Sequence, residues 1–476
     1  PGARVSLDAL LAADVVKVAR EALPGRRAWI VGGAVRDALL GRPIVDVDLA
    51  VEGSPEEAAR AIARAGRGPS FQLSAEFGAW RAMGGGSRWV CDVSPLQGAT
   101  IEEDLARRDF AANAIAVPLE GGAPVDPVGG AADVERHVLR VLPGAYEADP
   151  LRPLRLARLS AELGFAPEPE TEKATVAAAP RIPQASPERV FAELRRLVIA
   201  PGVLAGLDLA DRLGITAAVL PELSALHGVE QSRFHHRDVY GHTIEVLECQ
   251  IELEADPAAV FGELTGPAIA AALSGTLADE LTTWQALRFA ALFHDVAKPA
   301  TRGELPDGRV TFMGHHEVGV EMTDAICARL RTSERLRAFL GAITRHHLVL
   351  GFLVHERPLS RAAVYRYLKT CAPVELEVTV HSCADRLATR GARSDQAIAL
   401  HLELARELAA AALEWRAQPP RPPVRGDELA RELEIAPGPE IGALLARLEE
   451  AAFTGEAADR DEALALARRL RENPGA

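Results

Sequence analysis

The chain is poor in cysteine and in aromatic residues, and it has no long hydrophobic run. Its five cysteines, from Cys91 to Cys383, lie far apart and form no CxxC pair, which argues against a disulfide framework and a zinc ribbon. No stretch of 18 apolar residues occurs, and no basic segment followed by an apolar one opens the sequence. The sequence therefore supports neither a membrane span nor secretion, and we expect a cytoplasmic protein.

An excess of basic charge is also lacking, since the formal net charge is −14. This balance argues against a surface that is basic throughout, but it leaves room for a local basic groove that binds nucleic acid. Ala, Leu and Arg are abundant while aromatic residues make up 5%, which favours a mostly helical chain. For 476 residues, roughly three or four domains are expected.

Strand patterns are confined to the first part of the chain. Residues 28–52 read as strand, glycine turn, helix and strand, and Ser54 is the expected N-cap of a helix over 55–65. Further short strands are expected at 70–73, 78–83 and 88–93. From about residue 145 strand patterns vanish, and the proline-rich run AQPPRPPVRG (417–426) indicates a linker. The prediction is an α/β head with a small mixed sheet, followed by a mostly α-helical body and tail.

Two carboxylates interrupt an apolar strand in PIVDVDLAVEG (43–53). Because strand side chains alternate in direction, Asp46 and Asp48 share one face. The side chains expected to face the core are Val45, Val47 and Leu49. Like charges repel by about 4 kcal/mol at about 4 Å with an effective dielectric near 20, and Mg²⁺ held by one or two carboxylates removes this repulsion. The alternative is an exposed edge strand with polar residues outward.

A glycine turn precedes this strand. In WIVGGAVRDALLG (29–41), Gly32 and Gly33 stand between an apolar strand and a helix that begins near Val35. Glycines at such a turn let backbone N–H groups approach an anion. With Arg36 and the two aspartates nearby, the pattern describes a site for a nucleoside triphosphate and its metal, although ordinary turns also need glycine.

Ordered motifs give the chain a family resemblance. They are GGAVRDALLGRPIVDVDLA, EEDLARRDFAANAIAV with the following DPVGGAADVERHVLRVL, EADPLRPLRLARLSAELGF and SPERVFAELRRLV. The chain resembles the class II tRNA nucleotidyltransferases, which build or complete the CCA end of tRNA without a nucleic-acid template, and the related bacterial poly(A) polymerases. The resemblance covers nearly the whole chain and implies a nucleotidyltransferase fold for the head.

The resemblance implies a two-metal site in the head. Asp46 and Asp48 are implied to hold Mg²⁺, with one ion activating the tRNA 3′-hydroxyl and the other holding the triphosphate and the leaving pyrophosphate. Asp92, in WVCDVSP, lies where a third carboxylate of such a site could come from. The alternative for Asp92 is a residue at the edge of the sheet.

The resemblance also implies nucleotide contacts. The triphosphate contacts are Gly32, Gly33 and Arg36, and Asp37 is expected to orient the loop through an ion pair. The contacts implied in the second motif are Arg107, Arg108 and Asn113, the last on an apolar helix face. The alternative for the two arginines is the start of a solvated helix.

The third motif is similar to the EDxxR helix with which the family reads the Watson–Crick edge of CTP or ATP. Asp149 and Arg152 match its Asp and Arg, one turn apart on one helix face. Arg155 and Arg158 continue the stripe as further nucleotide contacts. The alternative is a surface ridge that pairs with Glu147 and Glu162. Ala148 stands where the family has Glu, which leaves open which nucleotides are added.

Residues 235–385 hold ten of the thirteen histidines. The segments GHTIEVL, ALFHDVAKP, FMGHHEVG, TRHHLVL and SCADRLATRG follow the order of an HD phosphohydrolase domain. The ligands implied for a second, unidentified divalent metal are His242, His294, Asp295 and Asp385. Support for a substrate phosphate or a further metal is expected from His315, His316 and His346. The domain is either a phosphohydrolase or a carrier of tRNA that has kept the fold and ligands.

The resemblance divides the chain into four expected domains. They are the nucleotidyltransferase head (1–143), a helical neck with the template helix (144–230), the HD-type domain (231–415) and a linker with a helical tail (416–476). The residues implied to contact the tRNA acceptor arm are Arg189, Arg195 and Arg196, unless they only form a solvated helix face.

The expected partners are the tRNA 3′ end, ATP and CTP, and no membrane. Three functions stay open. The first is a tRNA 3′-end nucleotidyltransferase that adds C, A or both, including an A-adding-only or CC-adding-only enzyme. The second is a poly(A) polymerase, and the third is an HD nucleotide phosphohydrolase with a head that only binds.

Overall fold

The structure is a computed structural model that describes residues 2–44, 46–74, 78–231, 236–390, 394–436 and 438–472. Val45, which was expected to face the core, lies outside these residues. The chain forms two compact units, Pro1–Val219 and Leu220–Ala476. The division into four domains is finer than these two units and stays a prediction.

A six-stranded mixed sheet lies in the first unit. Its strands are β1 (Ala28–Val31), β2 (Asp46–Val51), β3 (Ser70–Ser74), β4 (Ala79–Met83), β5 (Val90–Pro95) and β6 (Ala116–Pro118). The order is β3-β4-β5-β2-β1-β6. The pair β2 and β5 is parallel, and the other neighbouring pairs are antiparallel. This sheet confirms the predicted α/β head.

The strand that carries the two aspartates is an inner strand. β2 lies between β1 and β5, and β5 lies between β2 and β4. The edge-strand alternatives for Asp46, Asp48 and Asp92 are therefore wrong. Val47 and Leu49 are buried as predicted, while Asp46 and Asp48 are exposed on the opposite face.

Helices complete the first unit. They are α1 (Gly2–Leu11), α2 (Asp14–Ala22), α3 (Gly33–Leu39), α4 (Pro55–Ala65), α5 (Ile101–Ala106), α6 (Gly130–Glu135), α7 (Ala145–Ala148), α8 (Arg152–Leu163), α9 (Pro169–Ala178), α10 (Pro187–Ile199), α11 (Val203–Arg212) and α12 (Ile215–Val219). α4 confirms the predicted helix, and the Ser54 hydroxyl accepts a hydrogen bond from the Glu57 N–H at 3.2 Å. Two short strands, β7 (Val138–Leu139) and β8 (Ala166–Pro167), also pair in parallel.

The prediction that Asp149 and Arg152 lie on one helix is wrong. α7 ends at Ala148, Asp149 has an extended backbone with φ −147° and ψ 111°, and α8 begins at Arg152. The reason is Pro150, because a proline disfavours the helical conformation of the residue before it. The two side chains therefore flank a break between helices.

The second unit is mostly helical. Its helices are α13 (Pro221–Ser224), α14 (Val239–Ala255), α15 (Ala258–Leu273), α16 (Thr283–Phe293), α17 (Lys298–Thr301), α18 (His315–Leu330), α19 (Glu334–His346), α20 (Val349–Leu353), α21 (Arg361–Cys371), α22 (Glu375–Leu387), α23 (Ser394–Ala417), α24 (Gly426–Glu432), α25 (Pro439–Thr454) and α26 (Arg460–Glu472). Residues 418–425, within the proline-rich run, form neither helix nor strand, and their role as a linker between domains stays a prediction. Helices α24 to α26 then surround a small core of their own around Leu429 and Leu448.

Besides β8, two short hairpins correct the expectation that strands are absent beyond residue 145. They are β9 (Thr276–Ala278) with β10 (Leu281–Thr282), and β11 (Gly303–Glu304) with β12 (Val310–Thr311). Strands of two or three residues are too short to show an alternating apolar pattern.

One segment, Glu334–Glu356, has the length and mean hydropathy (1.2) of a membrane span. It comprises α19, α20 and a 3₁₀ turn, and it carries Arg345, His346 and His347. α19 packs against α16 and α18 within the second unit. Core helices of proteins without a membrane segment have the same character, so the segment is weak evidence for a span.

Candidate active site

The turn between β1 and α3 requires glycine. Gly32 has a φ of 72°, a conformation that side chains disfavour. A Cβ atom on Gly32 would lie 3.1 Å from Nη1 of Arg108 and 3.3 Å from Oδ2 of Asp48. The absence of a side chain therefore lets the turn approach the charged residues of the sheet.

Three aspartates share one face of β2 and β5. Asp48 and Asp92 are direct partners in the parallel ladder, and Asp46 is two residues before Asp48. The pKa of Asp48 is raised to about 6, first because the protein around it displaces water and then because Asp92 adds negative charge. This cluster of carboxylate oxygens, in which like charge contributes to the raised pKa of Asp48, fits a divalent cation such as Mg²⁺.

Arg81 on β4 is a charged member of this site that the sequence reasoning missed. Its Nε donates to Oδ1 of Asp92 and its Nη2 to Oδ2, each at 2.7 Å. A single arginine in the otherwise uncharged strand AWRAM was the available signal. Asp92 is thereby held in one orientation.

Arg36 is buried and holds two polar neighbours. It donates to Oδ1 of Asn113 at 2.5 Å and to Oδ1 of Asp37 at 2.9 and 3.0 Å. The ion pair expected for Asp37 is therefore present. Asn113 closes a 3₁₀ turn, Ala111–Asn113, and not an α-helix as predicted.

Arg107 and Arg108 follow the end of α5 at Ala106, so the alternative of a solvated helix start is wrong. Arg108 forms an ion pair with the buried Asp104 at 2.9 Å, and its Nη1 lies beside the Gly32 turn. Arg107 is exposed. The geometry therefore brings Arg108 to the aspartates and leaves Arg107 facing solvent.

Backbone carbonyls hold the side chain of Arg152. Its guanidinium donates to the carbonyls of Arg107, Arg108 and Ala145 at 3.1 to 3.2 Å. Ala148, at the position where the resemblance implies Glu, offers no carboxylate to Arg152. The carbonyls therefore supply an anchor for Arg152.

Asp149 is held from two sides. Its Oδ1 accepts a hydrogen bond from the N–H of Leu151 at 3.1 Å, and its Oδ2 accepts one from Arg189 at 2.6 Å. Of the other two arginines expected to contact tRNA, Arg196 is exposed and pairs with Glu162, and Arg195 is half-buried.

Carboxylates of the first unit neutralise the positive charges of Arg155 and Arg158. Arg155 pairs with Asp109 and with Glu193, each at 3.1 Å, and Arg158 pairs with Glu193 and with Glu162. Burial opposes ionisation of Glu193, but Arg155 and Arg158 outweigh it and lower the pKa of that carboxyl. The predicted ridge is thus a buried charge network, and Glu193 was not predicted.

One cleft of about 680 Å³ joins these residues. It brings together the predicted metal-binding and nucleotide-contact residues other than Arg107 and Asp149. The predicted members of its lining are Gly32, Gly33, Arg36, Asp46, Asp48, Asp92, Arg108, Asn113, Arg152, Arg155 and Arg158. A carboxylate floor under several arginines can hold a metal and a polyphosphate together.

The second unit brings together the four residues predicted as HD ligands. His242, His294 and Asp295 are buried, and their ligand atoms lie within 4.8 Å of one another. Oδ1 of Asp385 lies 3.0 Å from Nε2 of His242. Oδ1 of Asp295 is buried and has no hydrogen-bond partner among the residues that the structure describes. These nitrogen and oxygen donors fit a divalent metal.

A second group shares Asp295. Its other members are His315 and His347, which are buried with ligand atoms within the same 4.8 Å limit. Burial lowers the pKa of His347 to about 3, with a further contribution from His294, and a neutral imidazole suits metal binding. His346, the residue predicted for this role, lies in a separate groove between α18 and α19.

Members of both groups line a cavity of about 810 Å³, namely Asp295, His315, His347 and Asp385. Lys298 lies in its wall, 2.7 Å from Oδ2 of Asp295, together with Arg386 and the predicted His316. Met313 and Phe352 give the cavity an apolar rim and are 82% and 69% exposed. The cavity can therefore receive a phosphate ester with an apolar portion.

Models of three known families match parts of the chain. Residues 28–88 and 87–140 match the poly A polymerase head domain, 164–226 match the probable RNA- and SrmB-binding site of polymerase A, and 268–390 match the HD domain. The fold and the site thus define a template-independent nucleotidyltransferase of the poly(A) polymerase class, joined to an HD domain.

Comparison with individual proteins narrows this class. The chain is 37% identical over 94% of its length to the A-adding tRNA nucleotidyltransferase of Deinococcus radiodurans, of which 96% is covered. It is 34% identical over 92% of its length to the CC-adding tRNA nucleotidyltransferase of Thermus thermophilus, of which 92% is covered. The chain belongs to the tRNA nucleotidyltransferase family, which confirms the resemblance.

A solved structure shows the same fold. The CCA-adding enzyme of Thermotoga maritima, complexed with tRNA, superimposes with a TM-score of 0.60 at 19% identity. The alignment covers 97% of this chain and 95% of the other.

Proposed function

We propose that the head adds adenosine to the 3′ end of tRNA. The observation that carries nucleotidyl transfer is the cleft in which three aspartates on inner strands face Arg36, Arg81 and Arg108. The full-length similarity to an A-adding relative supports adenosine, because that relative has the higher identity of the two reported above.

In this proposal Asp46 and Asp48 bind Mg²⁺, which when bound activates the 3′-hydroxyl and neutralises the triphosphate. The Gly32 turn, Arg36 and Arg108 hold the triphosphate. The tRNA 3′-hydroxyl loses its proton to solvent and its oxygen attacks the α-phosphorus of ATP, so that a phosphodiester bond forms while the bond from the α-phosphorus to the bridging oxygen breaks and pyrophosphate leaves. The residues of the cleft thus contribute orientation and charge.

Asp149 and Arg152 are proposed to read the base. A carboxylate accepts from the N6 amino group of adenine, and a guanidinium donates to N1. Cytosine offers a similar amino group and ring nitrogen, so this edge alone does not separate the two bases. Arg189 and the backbone carbonyls around Arg152 keep the reading pair in place without the family's Glu.

The test uses tRNA transcripts that end at the discriminator base, at C and at CC, each with one nucleoside triphosphate at a time. Product length is read on a gel. Addition of one A to the CC transcript alone is the expected result. Addition of C to the shorter transcripts would contradict an A-adding enzyme, and a long A tail would identify a poly(A) polymerase.

For the second unit we propose a metal-dependent phosphohydrolase. The observation that supports it is the pair of buried groups that share Asp295, at the base of a cavity with Lys298 and Arg386. His242, His294, Asp295 and Asp385 would hold one divalent metal, and His315 and His347 would complete a second site. The competing role is a carrier of tRNA.

Release of phosphate from nucleoside monophosphates is the test of this activity. Dialysis against a chelator should abolish release, and added divalent metal should restore it. Asp295→Asn should remove release and lower the number of metal ions bound per chain. Unchanged phosphate release in Asp295→Asn would contradict the proposed site.

A cytoplasmic location completes the proposal. All five cysteines are free and buried, which suits a reducing compartment.

A further inference from the structure

A row of three charged residues crosses the sheet beneath the cleft. The β4–β5 ladder pairs Arg81 with Asp92, and the β5–β2 ladder pairs Asp92 with Asp48. Register partners in neighbouring strands point to the same face. Arg81 therefore belongs to the same surface as the aspartates that are proposed to bind metal.

The contact between Arg81 and Asp92 has the geometry of a fork. Both carboxylate oxygens accept a hydrogen bond at 2.7 Å, which fixes the plane of the carboxylate as well as its position. The pair is only partly open to water, with side-chain exposures of 33% and 24%. An exposed ion pair without this geometry would constrain Asp92 far less.

We infer that Arg81 is a positioning residue of the nucleotidyl transfer, with two separable effects. Its fork orients the carboxylate of Asp92 toward the reacting groups, and its positive charge limits how tightly the aspartates bind a divalent metal. The inference rests on the proposed nucleotidyl transfer.

Two substitutions separate the two effects. Arg81→Lys keeps the charge but loses the fork, whereas Arg81→Met loses both. The lysine variant should bind metal like the wild type. The methionine variant should bind metal about tenfold more tightly, because a nearby positive charge no longer repels the dication.

Both substitutions should lower kcat by roughly tenfold to a hundredfold through misorientation of Asp92, with the KM for ATP nearly unchanged. Arg88→Met is the matched control. Arg88 is an exposed arginine just before β5, the strand that carries Asp92, and among the contacts described its side chain donates only to the carbonyl of Gly85. It should leave both the metal affinity and kcat within about twofold of the wild type.

The experiment is calorimetric titration of the full-length chain with Mn²⁺, without tRNA or nucleotide, beside steady-state addition of A to tRNA. Mn²⁺ binding that is lost in Asp48→Asn is assigned to the head. The binding that remains in this variant is assigned to the HD domain and is subtracted. Equal Mn²⁺ affinity in wild type and Arg81→Met, or an unchanged kcat in both Arg81 variants, would overturn the inference. Failure of the wild type to extend any tRNA would instead overturn the proposed function, because the metal titration needs no reaction.

Discussion

Gly32 shows most directly how one small residue shapes the cleft. Gly32→Ala would strain a backbone with φ 72° and press a Cβ atom against Arg108 and Asp48. Gly25 has the same φ, but a Cβ atom there would meet nothing within 4 Å. Gly32→Ala should therefore lower addition of A by at least about tenfold, while Gly25→Ala should leave it unchanged.

Thermal unfolding supplies the control for this comparison. Gly25→Ala should lose about 1–2 kcal/mol of stability through backbone strain, and Gly32→Ala should lose at least as much, because its ψ of −135° lies outside the left-handed helical region. Similar losses of activity in the two variants would contradict a role for the close approach at Gly32.

A site residue could be identified from the sequence where it belongs to a local motif. It could not be identified where its role depends on a partner in another helix or strand. Asp46, Asp48 and Gly32 follow from the local pattern of strand and turn. Arg81 lies 11 positions from its partner Asp92, and no local pattern connects them. The choice between His346 and His347 depended on which face of a helix end is buried, which adjacent identical residues do not reveal.

Helices α8 and α10 are joined by the charge network around Glu193. Glu193→Gln would leave Arg155 and Arg158 without a shared counter-ion in a place where Glu193 is 7% exposed. Because Arg155 keeps Asp109 and Arg158 keeps Glu162 as partners, the expected loss is that of buried charge-assisted hydrogen bonds, about 1–3 kcal/mol. Urea unfolding should show this loss.

The matched control is Glu170→Gln on α9. Glu170 pairs with Lys173, but the two side chains are 76% and 72% exposed, so the change should stay within about 0.5 kcal/mol. Equal destabilisation by the two substitutions would mean that the network around Glu193 contributes no special stability.

The same network predicts how the stability of the chain changes at low pH. Burial opposes ionisation of Asp109, but Arg155 and Asn113 outweigh it and lower the pKa to about 2, against about 4 in an unfolded chain. The ionised group therefore contributes stability above pH 4 that is lost as the pH falls through 2. Between pH 5 and pH 2, Asp109→Asn should lose about 2–3 kcal/mol less than the wild type, as measured by urea unfolding at each pH.

Helices and strands could be predicted where the sequence shows an N-cap residue or a clear apolar pattern. The helix over 55–65 and five of the six strands of the sheet were predicted, because Ser54 and short β-like stretches mark them, whereas β6 (Ala116–Pro118) was missed. The break at Pro150 was missed because the family motif suggested one continuous helix. The hairpins near residues 276–282 and 303–311 have too few residues for any period.

The whole chain is expected to carry two independent activities. Asp46→Ala should abolish nucleotide addition and leave phosphate release intact, because the two sites are built from different compact units. His294→Ala with Asp295→Ala should do the reverse. Loss of both activities in either variant, with normal folding by circular dichroism, would contradict the two-site account.

Transfer of a nucleotide to tRNA is expected to depend on the aspartates of β2. Single-turnover extension of a CC-ended tRNA with ATP and Mg²⁺ tests it most directly, with wild type and Asp48→Asn compared at equal folded concentration. We expect one added A per tRNA in the wild type and a rate at least about a thousandfold lower in the variant. Extension by Asp48→Asn at the wild-type rate would contradict a role for this carboxylate in nucleotide transfer.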